Sequence, residues 1–353
     1  MGGGQHTAHG AVIETPLPRE IEGEDGTAGA RQGARVTPLP AWERQLPWIY
    51  LVLLIVAVVA LAGYPEIASA YNITLWLTVL MTVVLATSWN IISGFTGYTS
   101  FGHAGFFGIG AYVGALLLFY DKLHWAPAVL VAGLATSGVA LVIGYPTLRL
   151  RGPYFAIAML GLSELARIVV TAWDSLTRGG NGVFLPILRD TTPNYYAMLA
   201  LATVAIIVSY LVGTSGFGLK LRSIRDDEVA AQAMGINTTS YKMSAFVISS
   251  FFPGVAGAIY ARHTGFIEPA AVFAVIWSIR AIATAIVGGQ GTILGPIIGA
   301  VALTLVSEEV WASDPNLYQV IFGGMIVLVV LFIPGGLISV VQRWGWLPRS
   351  RRV

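Results

Sequence analysis

Long apolar runs dominate this chain, separated by turn residues and by charge. A hydrocarbon core about 30 Å thick takes roughly 20 residues of helix, with a range of about 17–25. On that measure the pattern predicts ten spans: 48–64, 72–92, 100–118, 127–147, 153–172, 196–214, 240–261, 272–288, 291–310 and 318–341. Glycine is dense in the third and the ninth. Two connections are long, 174–195 and 215–240, and the second carries a pattern of its own.

Composition agrees with a lipid-facing chain. Charged residues make up 11% of 353, against about 25% in a soluble domain, and hydrophobic residues make up 56%. Mean hydropathy is +0.73. These values predict an all-α integral membrane protein of about ten transmembrane helices. Residues 1–47 are rich in Gly, Pro, Ala and charge and lack the apolar stretch of a signal peptide. They are expected to form a disordered cytoplasmic tail. The membrane-spanning body is expected over 48–341, and a basic cytoplasmic tail over 342–353.

Orientation follows from Lys and Arg beside the spans. With the N-terminus inside, fourteen lie on the cytoplasmic side, among them Arg149, Arg151, Lys220, Arg222, Arg225 and Lys242. Four lie outside: Lys122, Arg178, Arg189 and Arg262. An even number of spans then leaves both termini cytoplasmic. A net charge of +2 gives no field for nucleic acid, and the absence of cysteine excludes disulfides and thiolate chemistry.

The inner connection contains Ser223, Arg225, Asp226, Asp227, Glu228, Val229, Ala230, Ala231, Ala233 and Gly235. Ser223 with Asp226 resembles a capping box. Asp227 and Glu228 place negative charge in a first turn, and Gly235 suits a left-handed terminator. A short cytoplasmic helix is expected over about 224–234, with Ala230, Ala231 and Ala233 as a smooth side. It is either a solvated connector or a docking element.

Two glycine-rich stretches, 94–112 and 288–300, admit close helix packing, since small residues let helix backbones touch in lipid. Gly291, Gly295 and Gly299 recur every four residues and are expected on one helix face. The other reading is a broken helix lining a solute path, with Thr99, Ser100, Gly102, His103 and Gly105 in the first stretch and Gly291 and Gly295 in the second. Few charges fall inside spans. Glu164 and Arg167 are three apart and can pair; Arg280 sits mid-span with no local partner. No phosphate-binding loop, H-E-x-x-H or G-x-S-x-G is present. An enzyme is therefore not expected, and neither a metal nor a cofactor in this chain.

The residues from about Leu75 to Leu337 resemble the LivM-type permeases of branched-chain amino-acid ABC importers. The likeness rests on Trp89-Asn90 leading into 97–112, on 148–158 running through 161–167 to Gly179-Gly-Asn-Gly182, on 225–236, and on 288–296 with Phe332-Ile-Pro-Gly-Gly-Leu337. It implies a subunit of the bacterial inner membrane that pairs with a second, related permease as a heterodimer. Two ATPases, which bind the ATP and Mg, would dock beneath it, and a periplasmic or extracellular binding protein would deliver solute. The helix at 224–234 then corresponds to the coupling helix, although Val229 stands where that family commonly has Glu, and Glu228 comes one position early. Branched-chain or other hydrophobic amino acids are the implied cargo; urea, amides and other small solutes are the alternative. An ion-coupled secondary carrier would need intramembrane carboxylates, and Glu164 is the one carboxylate well inside a span.

Overall fold

A computed structural model describes residues 41–120, 124–150, 152–186, 190–313, 323–324, 327, 331–333 and 335–343. Residues 1–40 of the expected N-terminal tail, most of the tenth expected span, the C-terminal tail from 344, and Lys122, Arg151 and Arg189 lie outside that set. The chain divides into two units, Met1–Val52 and Leu53–Val353. Of the first, the described part is helical from residue 41.

The elements in chain order are α1 (Ala41–Gly63), α2 (Ala70–Trp89), α3 (His103–Phe119), α4 (Trp125–Thr147), α5 (Pro153–Ala172), α6 (Asp174–Thr177), β1 (Val183–Phe184) and α7 (Thr192–Thr214). There follow α8 (Gly216–Asp226), α9 (Glu228–Ala233), α10 (Thr238–Thr264), β2 (Phe266–Ile267), α11 (Pro269–Val272), α12 (Ile276–Gly288), α13 (Gly295–Ser313) and α14 (Gly336–Arg343). Among the described residues, six helical segments are long and apolar enough to cross a membrane, and three shorter apolar helices, Leu51–Glu66, His103–Phe119 and Gly295–Glu308, accompany them.

Several hydroxyl side chains inside these helices bond back to their own backbone, where water is not at hand as a partner. Thr82 Oγ1 donates to Thr78 O at 2.9 Å and Thr203 Oγ1 to Leu199 O at 2.8 Å. Ser69 caps α2 by accepting from Asn72 N. Pro153 opens α5, where its missing N–H is no loss.

The core lies where α3, α4 and α10 meet beside α2. At Gly110 a side chain would run into the backbone of Gly254, and at Gly257 into the Phe107 carbonyl. Backbones therefore touch, and dispersion replaces the hydrophobic force that lipid cannot supply. Replacing Gly257 by Val should force α3 and α10 apart at a cost of about 1–3 kcal/mol, seen as a lower melting temperature in detergent. Gly138, with open space around its Cα, should accept the same change without loss.

The expected eighth span falls within the apolar segment Pro269–Gly288, in which 273–275 separate α11 from α12. Two expectations need correction. Gly291, Gly295 and Gly299 do not share a helix face, because 289–294 is a loop with Gly289 and Gly291 at positive φ, and α13 begins at Gly295. Even spacing of glycine mimics a helical stripe when it marks a turn followed by a helix start. The single cytoplasmic helix at 224–234 is instead the end of α8, a break at Asp227, and α9.

Candidate functional site

The break arises from competing caps. Ser223 does not cap; its Oγ donates back to Leu219 O at 3.1 Å, inside α8. Ser215 caps α8 by accepting from Gly218 N. Asp227 adopts extended backbone, and its Oδ1 accepts from Val229 N at 2.8 Å and Ala230 N at 3.0 Å. A carboxylate on two free N–H groups holds the start of α9 firmly. Gly235 ends it at φ +84°, with Ile236 N donating to Ala231 O. Arg225 and Asp226 thus belong to α8.

The element has two faces. Val229 and Met234 are 60% and 83% exposed, and Ala230 and Ala233 lie open beside them. Ala231, expected on that smooth side, is buried against the bundle.

Glu228 turns inward. Its Oε2 accepts from Tyr98 Oη at 2.5 Å and its Oε1 from Lys242 Nζ at 2.6 Å. Thr238 Oγ1 donates to Oε1 at 3.3 Å and takes a bond from Gln232 Nε2. Lys242 is 2% exposed, yet it is satisfied: Nζ also donates to Tyr98 Oη at 2.9 Å and Leu148 O at 3.2 Å. Three acceptors match the three donors of an ammonium, and the Tyr98 ring lies 4.3 Å away. Burial by itself would push the Glu228 carboxyl up. Donation from Lys242 and Tyr98, with the Lys242 charge, outweighs it and holds the carboxyl below its usual range. Four elements are joined at this point: α9, α10, the 97–102 break and the end of α4.

A second junction joins the two glycine-rich stretches. The helical run of α2 continues through a wide turn over Asn90–Gly94 and stops before Gly97, at φ +78°. Asn90, fully buried, donates Nδ2 to Thr292 O at 2.7 Å and accepts at Oδ1 from Gly291 N at 2.8 Å. Arg225 Nη1 donates to Gly94 O at 2.6 Å, and its guanidinium occupies the space a side chain at Gly291 would need. Arg225 therefore ties α8 to this junction, although the residue as a whole is exposed.

The residues expected to line a path are mostly interior. Ser100 and His103 have no exposure, and Gly102 and Gly105 are buried against Met159 and Ser163 of α5. Gly295 is buried; Thr99 and Gly291 are part-exposed. The Ser100 backbone is held by Trp89 Nε1 on its carbonyl and Ser93 Oγ on its amide. Ser278 caps α3, accepting from Ala104 N at 2.8 Å and donating to Phe101 O at 2.7 Å. No local signal in the sequence marks Ser278, since its partners lie more than 170 positions away.

Glu164 and Arg167 do pair, the guanidinium reaching both carboxylate oxygens. The side chains are 50% and 35% exposed, halfway along a helix whose apolar residues Ile157, Leu165 and Ile168 are open as well. Arg280 lies with its guanidinium 5.6 Å from the Trp277 ring, so an aromatic face meets it rather than a carboxylate on its own helix.

The family model described as the permease component of branched-chain amino acid transport systems matches residues 69–330. The high-affinity branched-chain amino acid transport system permease protein LivM of Salmonella typhimurium is 29% identical over 335 residues, which cover 86% of this chain and 78% of the relative. LivM of Escherichia coli K12 is 29% identical over 325 residues, covering 83% and 75%. The permease protein BraD of Pseudomonas aeruginosa is 26% identical over 282 residues, covering 72% and 91%. No solved structure matches the chain. With its apolar helices, its inward-anchored α8–α9 element and a family match over more than half its length, this chain belongs to the branched-chain amino acid transport system permease component family.

Proposed function

We propose that this chain is one permease subunit of an ABC importer that moves branched-chain or other hydrophobic amino acids across the bacterial inner membrane. One observation carries the reading: α9 presents Val229, Ala230, Ala233 and Met234 outward while Glu228 and Lys242 fasten its other side to the bundle. A free-standing carrier gains nothing from an apolar knob that is rigidly tied to its core. A subunit driven by a partner ATPase needs both properties.

In this reading a second, related permease completes a heterodimer, two ATPases dock beneath the pair, one of them on α9, and a binding protein delivers solute from outside. ATP and Mg belong to the ATPases. The six long segments and three shorter apolar helices, with the expected span at 318–341, make ten crossings and leave both termini cytoplasmic. A path between two permeases must be lined by surface that is open in one subunit. That condition favours α5 with Glu164 and Arg167 over Ser100 and His103, because charge at mid-span is costly against lipid and faces water or protein instead.

Uptake of radiolabelled leucine in cells with and without this chain tests the reading. Loss of uptake on deletion, with competition by isoleucine and valine, supports it; unchanged uptake moves the cargo to urea, amides or another solute. Docking has its own test. Ala230→Arg should leave membrane insertion intact and reduce co-purified ATPase about tenfold or more, since an unpaired charge in a closing interface costs over 1.4 kcal/mol.

A further inference from the structure

The opposite end of the bundle carries a small built structure. α10 runs 27 residues from beside α9 to the ribbon of β1 and β2. At 1.5 Å per residue that is about 40 Å, so the ribbon lies on the face from which an importer receives solute. Val183 pairs with Ile267 and Phe184 with Phe266. Next to the ribbon, Thr177 Oγ1 donates to the carbonyls of Val170 and Trp173, fixing the loop onto the end of α5.

Within that loop Arg178 has φ +60° and ψ 16°, the one positive φ outside glycine among the described residues. A left-handed L-residue is strained by steric crowding, and glycine is the usual occupant of this helix-ending position. The chain places glycine at 179, 180 and 182 but not at 178. The guanidinium lies 4.5 Å from the Phe119 ring, which orients it. An open depression of about 380 Å³ lies here, lined by Asp174, Arg178, Asn181 and Phe184, all exposed, and by the buried Gly182. Phe184 is 64% exposed and packs on Phe266 with ring centres 4.5 Å apart. Asp174 and Arg178 are not ion-paired with each other; the salt bridges among the described residues lie elsewhere.

We infer that this depression is a subsite for a small aliphatic amino-acid zwitterion at the outer mouth of the permease. The Arg178 guanidinium receives the α-carboxylate, the Asp174 carboxylate receives the α-ammonium, and the Phe184 ring receives the aliphatic side chain. The volume of this open depression falls in the lower part of the small-ligand range of about 300–1,000 Å³. Strain held at a site-lining residue is the expected mark of function, because a purely structural turn would relax to glycine. The inference rests on the importer function proposed above.

The test is Arg178→Gly in the full importer, a change that suits the backbone. Maximal leucine uptake should fall about 10- to 100-fold, the range for losing a charge-assisted hydrogen bond. Membrane abundance, melting temperature and ATP hydrolysis stimulated by the binding protein should hold. Asp174→Asn should behave alike, and Arg178→Lys should recover part of the uptake. Unchanged uptake in Arg178→Gly would overturn the subsite alone. Loss of the stimulated ATP hydrolysis would also overturn it, making the loop a docking surface for the binding protein. Failure of the wild-type importer to take up leucine would overturn the function beneath it.

Discussion

Lys242→Met will detach α9 from the membrane bundle. The ammonium holds Glu228, Tyr98 and the Leu148 carbonyl together, and its removal leaves the Glu228 carboxylate half-buried without a counter-charge. Breaking one partner of a buried pair costs about 3–5 kcal/mol. That is a large part of a typical folding stability, so lower abundance and rapid proteolysis within 226–237 are expected. The informative variant is Lys242→Met with Glu228→Met. Two apolar side chains of similar volume restore packing without stranded charge, so abundance should return. Solute carried per ATP hydrolysed should stay low, because α9 is no longer linked to Tyr98 and the 97–102 break. Full coupling in the double variant would show that the ion pair only stabilises the fold. The sign with pH follows from the depressed Glu228 carboxyl. Its contribution is full above the ordinary value of 4.5 and is lost as pH falls through the lower folded value. Protease sensitivity of 226–237 should be flat from about pH 5.5 to 8 and rise only in stronger acid.

Asn90→Leu should have the second largest effect. The side chain is isosteric, but it removes the partner of the Gly291 N–H and of the Thr292 carbonyl at a part-buried junction. Each orphaned group costs about 1–3 kcal/mol when fully buried, so at this part-exposed site a loss of roughly 2–3 kcal/mol is expected. A melting temperature in detergent that stays within a degree or two of wild type would refute the clamp. Asn90→Asp separates the two bonds, keeping the acceptor for Gly291 N and losing the donor to Thr292 O. It should fall between wild type and Asn90→Leu if its added charge finds Arg225 nearby.

The long helices could be read from sequence because their signals are local. The expected spans 127–147, 153–172 and 240–261 became Trp125–Thr147, Pro153–Ala172 and Thr238–Thr264. An apolar run, a proline at the first turn and a cap at Asn237 each act within a few residues. The ion pair of Glu164 with Arg167 was legible for the same reason. The junctions were not. Asn90 meets Gly291 across 201 positions, and Tyr98 meets Glu228 across 130. Lys242 entered the sequence reading only as one more inner charge, although a lysine a turn into an apolar helix is itself a clue to a buried acceptor. The helix at 224–234 was misplaced because two capping candidates four residues apart, Ser223 and Asp227, compete. Local pattern does not show that Ser223 would bond backward and Asp227 forward. Ser100 and His103 admit either reading, packed interior or path-lining break, because polar residues between glycines suit both. Their side chains are buried, and Trp89, Ser93 and Ser278 satisfy the backbone of the break.

The direct backbone contact of α3 with α10 has a mechanical consequence. Where Gly110 meets Gly254 and Gly257 meets Phe107, no side chain lies between the helices to act as a bearing, so one cannot slide along the other. Gly133 of α4, seated on Val255 and Phe251, adds a third bar to the same frame. The frame moves as one piece or not at all. Its connection to α2 passes through six non-helical residues that begin at Gly97, and this short strap is where a rotation of the frame can be absorbed.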